Sequence, residues 1–107
     1  MTETIRLHDI AHARSGDKGE VTNICLFPYN DSDYDLIHRH VTAAVVRRHF
    51  AGTVRGEVIR YEVPSMHGFN FVLYGTRPGG VSAALELDTH GKALSYGLLE
   101  IEIPDER

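Results

Sequence analysis

Eight consecutive positions near the N-terminus, His12-Ala13-Arg14-Ser15-Gly16-Asp17-Lys18-Gly19, concentrate residue types that bind anions and move protons. Arg14 offers a planar fork of donors matched to a carboxylate or phosphate. Lys18 adds a mobile positive charge, and Ser15 can donate or accept a hydrogen bond. His12 and Asp17 can each carry a proton when their surroundings tune them. Gly16 and Gly19 let a ligand approach the main chain closely. The set reads as a loop that binds an anionic small molecule, with His12, Asp17 and Ser15 as candidate catalytic groups and Arg14, Gly16, Lys18 and Gly19 as binding groups. A plainer reading stands beside it. Gly-Asp-Lys-Gly is also good turn chemistry, and Arg14 and Asp17 can pair across such a turn.

Better-known site patterns are missing. The loop lacks the four-residue spacer and the Lys-Ser/Thr pair of a phosphate-binding P-loop, and it is no dinucleotide fingerprint. Seven histidines invite a metal reading, but His38 and His40 lie two apart on an expected helix and point in different directions. His8 and His12 lie four apart in an expected strand, too far for one ion. No ligand set with zinc spacing emerges, so no metal and no other cofactor is expected. His67, Asn70 and Arg77 flank later turns and complete a pocket if that end of the sheet lies beside the first loop. Cys25, the single cysteine, sits in the apolar run Ile24-Cys25-Leu26-Phe27 and reads as a small core residue, with no disulfide framework.

The bulk properties narrow the setting. At 107 residues the chain is expected to be one domain, residues 1–107, able to bury a single core. A formal charge of −4 argues against duplex nucleic acid, because phosphate contacts need a dense basic face. The basic cluster Arg47-Arg48-His49 reads as a solvated helix end. No apolar stretch approaches the roughly 20 residues of a membrane span. The N-terminus shows neither a basic nor an apolar leader segment, so a cytoplasmic protein is expected.

The elements that must position these residues follow from periodicity. Ile5–Ala11 reads as a short strand, and Val21–Phe27 as a central strand covered on both faces. Asp31 or Ser32 caps a long helix over about 33–50, with Tyr34, Ile37, Val41, Ala44 and Val45 on one face, cationic residues at its end and Gly52 as its stop. Val58–Val63 and Phe69–Tyr74 alternate as strands around a Pro64–Gly68 turn and predict a hairpin. Gly75–Gly80 reads as a loop, Ala83–Asp88 as extended, and a shorter helix is expected from about Lys92, giving way to an extended tail before Pro104. Strands around one long helix, then a hairpin and a second helix, predict an α+β sandwich of ferredoxin-like type with a mainly antiparallel sheet.

Ala11-His12-Ala13-Arg14-Ser15-Gly16-Asp17-Lys18-Gly19 followed by Asn23-Ile24 resembles the opening signature of the C-terminal domain of the acyclic terpene utilisation protein AtuA. Asn70-Phe71-Val72-Leu73, Gly79-Gly80-Val81-Ser82, Leu87-Asp88, Gly91-Lys92 and Leu98-Leu99 resemble that family's later landmarks, so the likeness spans most of the chain. It implies a ferredoxin-like fold and adds Asn23, Asn70, Gly79 and Gly80 to the substrate-binding candidates. It also implies a larger partner, because in the family this domain follows a much larger N-terminal domain or is encoded separately. The family is linked to catabolism of branched, terpene-like acids as coenzyme A thioesters.

Three roles are compatible with these features. The first is a small subunit of a two-component hydratase or lyase acting on branched acyl-CoA or carboxylic acid substrates. The second is a non-catalytic binding or assembly module of a larger protein. The third is a homo-oligomer whose hairpin strands supply an interface and whose site forms between copies.

Overall fold

Burial along Val21–Pro28 alternates position by position. Thr22, Ile24 and Leu26 are buried while Val21, Asn23, Cys25 and Phe27 are half-buried. This period of two marks a strand with one face in the core and one facing outward. It organises the computed structural model, which describes residues 3–76 and 92–107, with Asp17, Lys18, Lys92 and Ala93 described by their backbone alone.

The elements run β1 (Thr4–Arg6), α1 (Leu7–Ile10), β2 (Ala11–Lys18), β3 (Val21–Pro28), α2 (Tyr34–His40), α3 (Ala43–His49), β4 (Val58–Val63), β5 (Gly68–Tyr74), α4 (Lys92–Leu98) and β6 (Glu102–Pro104). Four strands form an antiparallel sheet in the order β2-β3-β5-β4. β1 and β6 form a separate antiparallel pair that ties the N-terminal strand to the C-terminal one. Helices pack on one face of the main sheet around a core that includes Ile24, Leu26, Ile37, Val46, Phe69, Phe71 and Leu98. This is the expected α+β arrangement with a mainly antiparallel sheet. Among the described residues no helix is long and apolar enough to cross a membrane.

Three expectations need correction. The segment His12–Gly19 is not a loop. Its backbone forms most of β2, registered against β3 from Ala11↔Pro28 to Lys18↔Val21, and the chain reverses at Gly19, whose φ is +63°. Two glycines and five polar side chains masked the strand, because here the hairpin partner rather than intrinsic propensity decides the conformation. The expected strand Ile5–Ala11 is broken by the one-turn helix α1, whose Leu7 and Ile10 turn into the core.

The long helix is also two helices. Thr42 accepts a hydrogen bond from the Val45 amide at 3.2 Å and caps α3. The carbonyls released at the end of α2 are taken by Arg60, which donates to His38 O at 2.8 Å and Val41 O at 2.9 Å. The break therefore has a partner from β4. At the other end the cap is Asn30, which accepts from the Ser32 amide at the start of a single 3-10 turn, Asp31–Asp33. Neither Asp31 nor Ser32 fills that role. The second expected helix and its extended tail appear as α4 and β6. The expected extended segment Ala83–Asp88 lies outside the described residues.

Candidate functional site

Register brings residues from all four strands into one transverse row. Arg14 pairs with Cys25, Cys25 with Asn70, and Asn70 with Tyr61. The neighbouring row is Gly16, Asn23, Val72 and Ile59. These positions share the sheet face opposite the helices, because their strand neighbours Ile24, Leu26, Phe69 and Phe71 are all in the core. Val21–Phe27 is thus a central strand, but among the described residues only one of its faces is covered.

A small polar cluster sits in the middle of this face. Asn23 Nδ2 donates to Asn70 Oδ1 at 3.3 Å and lies 3.9 Å from Cys25 Sγ. Cys25 Sγ in turn lies 3.7 Å from Asn70 Oδ1. A Cβ on Gly16 would stand 3.3 Å from Asn23 Oδ1, so the missing side chain leaves the Asn23 amide its place over β2. Cys25 is therefore not a core residue. It is half-buried on the open face between two amides.

Beside the cluster is a shallow depression of about 590 Å³ lined by His12, Arg14, Cys25, Phe27, Pro28 and Met66. Its wall is an aromatic stack. The His12 ring lies 5.5 Å from Phe27 and 5.1 Å from Tyr29, centroid to centroid. Phe27 holds its place by lying over Gly68, where a Cβ would come within 2.4 Å of the ring. Met66, exposed at the β4–β5 turn, closes one side.

The electrostatics of the depression are simple. The Arg14 side chain is exposed and, among the described residues, makes no hydrogen bond or ion pair. No Asp or Glu occupies an open-face position of the four strands, in a chain with 15 of them. An exposed guanidinium beside an apolar floor suits an anionic group attached to an apolar body. A larger cavity, about 730 Å³, is lined by Glu3, Asn30, Ser32, Asp33, Asp105, Glu106 and Arg107. Its four carboxylates disfavour an anion, and Arg107 is engaged by Asp105 at 2.9 Å. That ion pair holds the Asp105 carboxyl below the usual carboxylate range.

The structure thus gathers His12, Arg14, Gly16, Asn23 and Asn70 on one face. Ser15 does not line the depression. It is one residue out of phase and lines a separate recess with Ala13, Ser95 and Tyr96, a recess that Arg14 also borders. Asp17 and Lys18 fall at the end of β2 with their side chains outside the described structure, and Gly79, Gly80 and Arg77 lie outside it altogether. Gly19 makes the turn that starts β3 and stands apart from the depression. His67 also leaves the pocket, because its ring pairs with Asp31 at 2.9 Å and lies against Tyr34. His38 and His40 pair with Glu62 and Glu106 at 3.1 and 2.9 Å. Among the described residues no group of three or more His, Cys, Asp or Glu is placed to hold a metal ion. Sequence reasoning missed Cys25, Phe27 and Met66, although the shared parity of Asn23, Cys25 and Phe27 was a usable signal.

The family model for the AtuA ferredoxin-like domain matches residues 5–104. The match covers nearly the whole chain, and the chain belongs to this family. No curated protein and no solved structure matches it.

Proposed function

From that membership we propose that the chain serves as the small subunit or accessory domain of a two-component catabolic enzyme of hydratase or lyase type. Its substrates are branched acyl-CoA or carboxylic acid compounds, and its partner is a larger, separately encoded protein of the family's N-terminal-domain type. The observation that carries this reading is Arg14, exposed and without a partner among the described residues, beside the apolar depression on a sheet face whose strand positions carry no acidic residue. In this reading Arg14 holds the anionic end of the substrate. Phe27 and Met66 receive its apolar body. The Asn23 and Asn70 amides orient a carbonyl, and His12 at the rim handles a proton. Ser15, on the other face, has no part in this half-site. The depression is shallow and open, which fits half of a site completed by another chain.

The test is reconstitution with the larger partner. A charge-assisted hydrogen bond is worth about 1.5–3 kcal/mol, so Arg14→Ala is expected to lower turnover at limiting substrate about 10- to 100-fold while the complex still assembles. Unchanged turnover in an intact complex would refute the role of Arg14.

Tyr61, Met66 and Tyr74 favour a second reading, because three large exposed side chains around one face also suit a docking module without chemistry. That module loses assembly, with no separate loss of turnover, when Arg14 is removed.

A further inference from the structure

β4 is an outer strand of the main sheet. Among the described residues it pairs with β5 on one side and with no strand on the other. Such an edge offers a row of main-chain donors and acceptors to another strand. Natural edges are usually blunted by proline, by a bulge or by inward charge. β4 has neither proline nor bulge in its interior, which reads Val58-Ile59-Arg60-Tyr61-Glu62-Val63, and its one inward charge, Arg60, is satisfied by the end of α2.

This sequence is self-complementary about its own centre. In an antiparallel pair, directly opposed residues share a face. When two copies meet with Tyr61 opposite Tyr61, Arg60 of each copy opposes Glu62 of the other, and Ile59 opposes Val63. Both charged contacts are attractive, and the other face joins two apolar pairs and an aromatic pair. Centring the pair on Arg60 instead opposes two guanidinium groups, and centring it on Glu62 opposes two carboxylates. Charge therefore selects the Tyr61 register. Tyr61 is 49% accessible on the open face, and on the other face the Glu62 side chain is 44% and the Arg60 side chain 15% accessible.

Main-chain polarity agrees. The Tyr74 amide donates to Glu57 O at 2.9 Å, which makes Glu57 a hydrogen-bonding position toward β5. Continuing the alternation turns Ile59, Tyr61 and Val63 inward and leaves the main-chain groups of Arg60 and Glu62 facing the free edge. These are the two residues that must exchange hydrogen bonds in the Tyr61-centred pair. Arg60 is also already fixed in place by its bonds to the end of α2, so little side-chain entropy is lost on pairing.

We infer that two copies of this chain pair through β4 in the Tyr61-centred register, forming one eight-stranded sheet. The two-fold axis stands perpendicular to the sheet. Both open faces then lie on the same side, with the two Arg14 depressions at its outer edges. The inference does not depend on the proposed function, since it rests on β4 alone.

The purified full chain is expected to show concentration-dependent dimerisation by sedimentation equilibrium. Its affinity should be on the order of micromolar, because a six-residue edge gives a small interface. Glu62→Arg, which sets like charges opposite each other, is expected to weaken association at least tenfold. The register is read by cross-linking in a Cys25→Ser background. Tyr61→Cys is expected to oxidise to a covalent dimer, since opposed residues of a non-hydrogen-bonded pair bring their Cα atoms to about 4.5 Å. Tyr74→Cys, equally placed for random collision, is expected to remain largely uncross-linked. A wild-type chain that stays at 12.0 kDa at every concentration overturns the inference. So does a Tyr61→Cys variant that cross-links no better than Tyr74→Cys.

Discussion

Replacing Gly68 by alanine tests how the depression is built. A Cβ there would lie 2.4 and 2.5 Å from Phe27 Cδ1 and Cε1, and 3.1 Å from Leu26 O. Ordinary carbon contacts sit at about 3.5–4.0 Å, so the ring must move by about 1 Å or more. Overpacking of this kind costs about 1–3 kcal/mol. The glycine is not in the left-handed region, so alanine also recovers about 0.4–1 kcal/mol by restricting the unfolded chain. The net expectation is a loss on the order of 1–2 kcal/mol, read by urea denaturation. Each kcal/mol corresponds to about 4–8 °C in melting temperature for a domain near this size. Gly52→Ala, where nothing lies within 4 Å of the added Cβ, is the control and should be neutral or slightly stabilising. The decisive measurement is the double-mutant cycle with Phe27→Ala. If the ring is the obstacle, Gly68→Ala should cost little once the ring is gone. A cost unchanged in the Phe27→Ala background would refute the account of Phe27 held by Gly68. With it would go the explanation of why His12 stands where it does.

Other perturbations have equally definite outcomes. Gly75→Ala should destabilise by more than about 1 kcal/mol in urea unfolding, since Gly75 has φ +77° and a Cβ would stand 2.7 Å from Gly56 N. Arg60→Met should cost about 1–3 kcal/mol in the same assay, because it leaves the carbonyls of His38 and Val41 without their donor. Glu106 accepts hydrogen bonds from His40 and Arg39, which hold its carboxyl below the ordinary value of 4.5. Its contribution to stability is therefore complete above that value and lost as pH falls through the lowered one. The difference between wild type and Glu106→Gln should be visible at neutral pH and vanish in acid. A difference that grows in acid would show the sign to be wrong.

Periodicity made the hairpin of β4 and β5 legible, because Val58–Val63 and Phe69–Tyr74 alternate and the turn between them carries proline and glycine. It also made the C-terminal helix legible, since Leu94 and Leu98 share a face. The helix break at Val41–Thr42 was hidden for a physical reason. Its apolar spacing continues through both helices, and the groups that stabilise the break come from Thr42 and from Arg60 on a distant strand. The candidate site was half legible. The chemistry of His12, Arg14, Asn23 and Asn70 was readable from residue type, but their grouping depended on treating residues 11–18 as a strand. Read as a loop, the segment lets Ser15 and Arg14 serve one ligand. Read as a strand, it puts Arg14 without Ser15 in the open-face depression, because one residue changes the face, while both border a second recess.

That parity carries a functional consequence for β3, which belongs to both the core and the site. Thr22 shows the core side. Its hydroxyl lies 2.9 Å from that of Thr76, and Thr76 reaches Glu20 O from both its hydroxyl and its amide, at 3.0 and 2.9 Å. These bonds lock the β2–β3 turn to the end of β5. Ile24 and Leu26 complete the buried side with no solvent exposure. Asn23, Cys25 and Phe27 point the other way, toward Asn70, Gly68 and the His12 ring. Substitutions at the buried parity should therefore act through stability, and substitutions at the open parity through ligand or partner binding. A strand with one face fixed by core packing holds its other face to the same backbone geometry. In the proposed role, the rigidity that Arg14 and the two asparagines need for recognition comes from residues on the buried face.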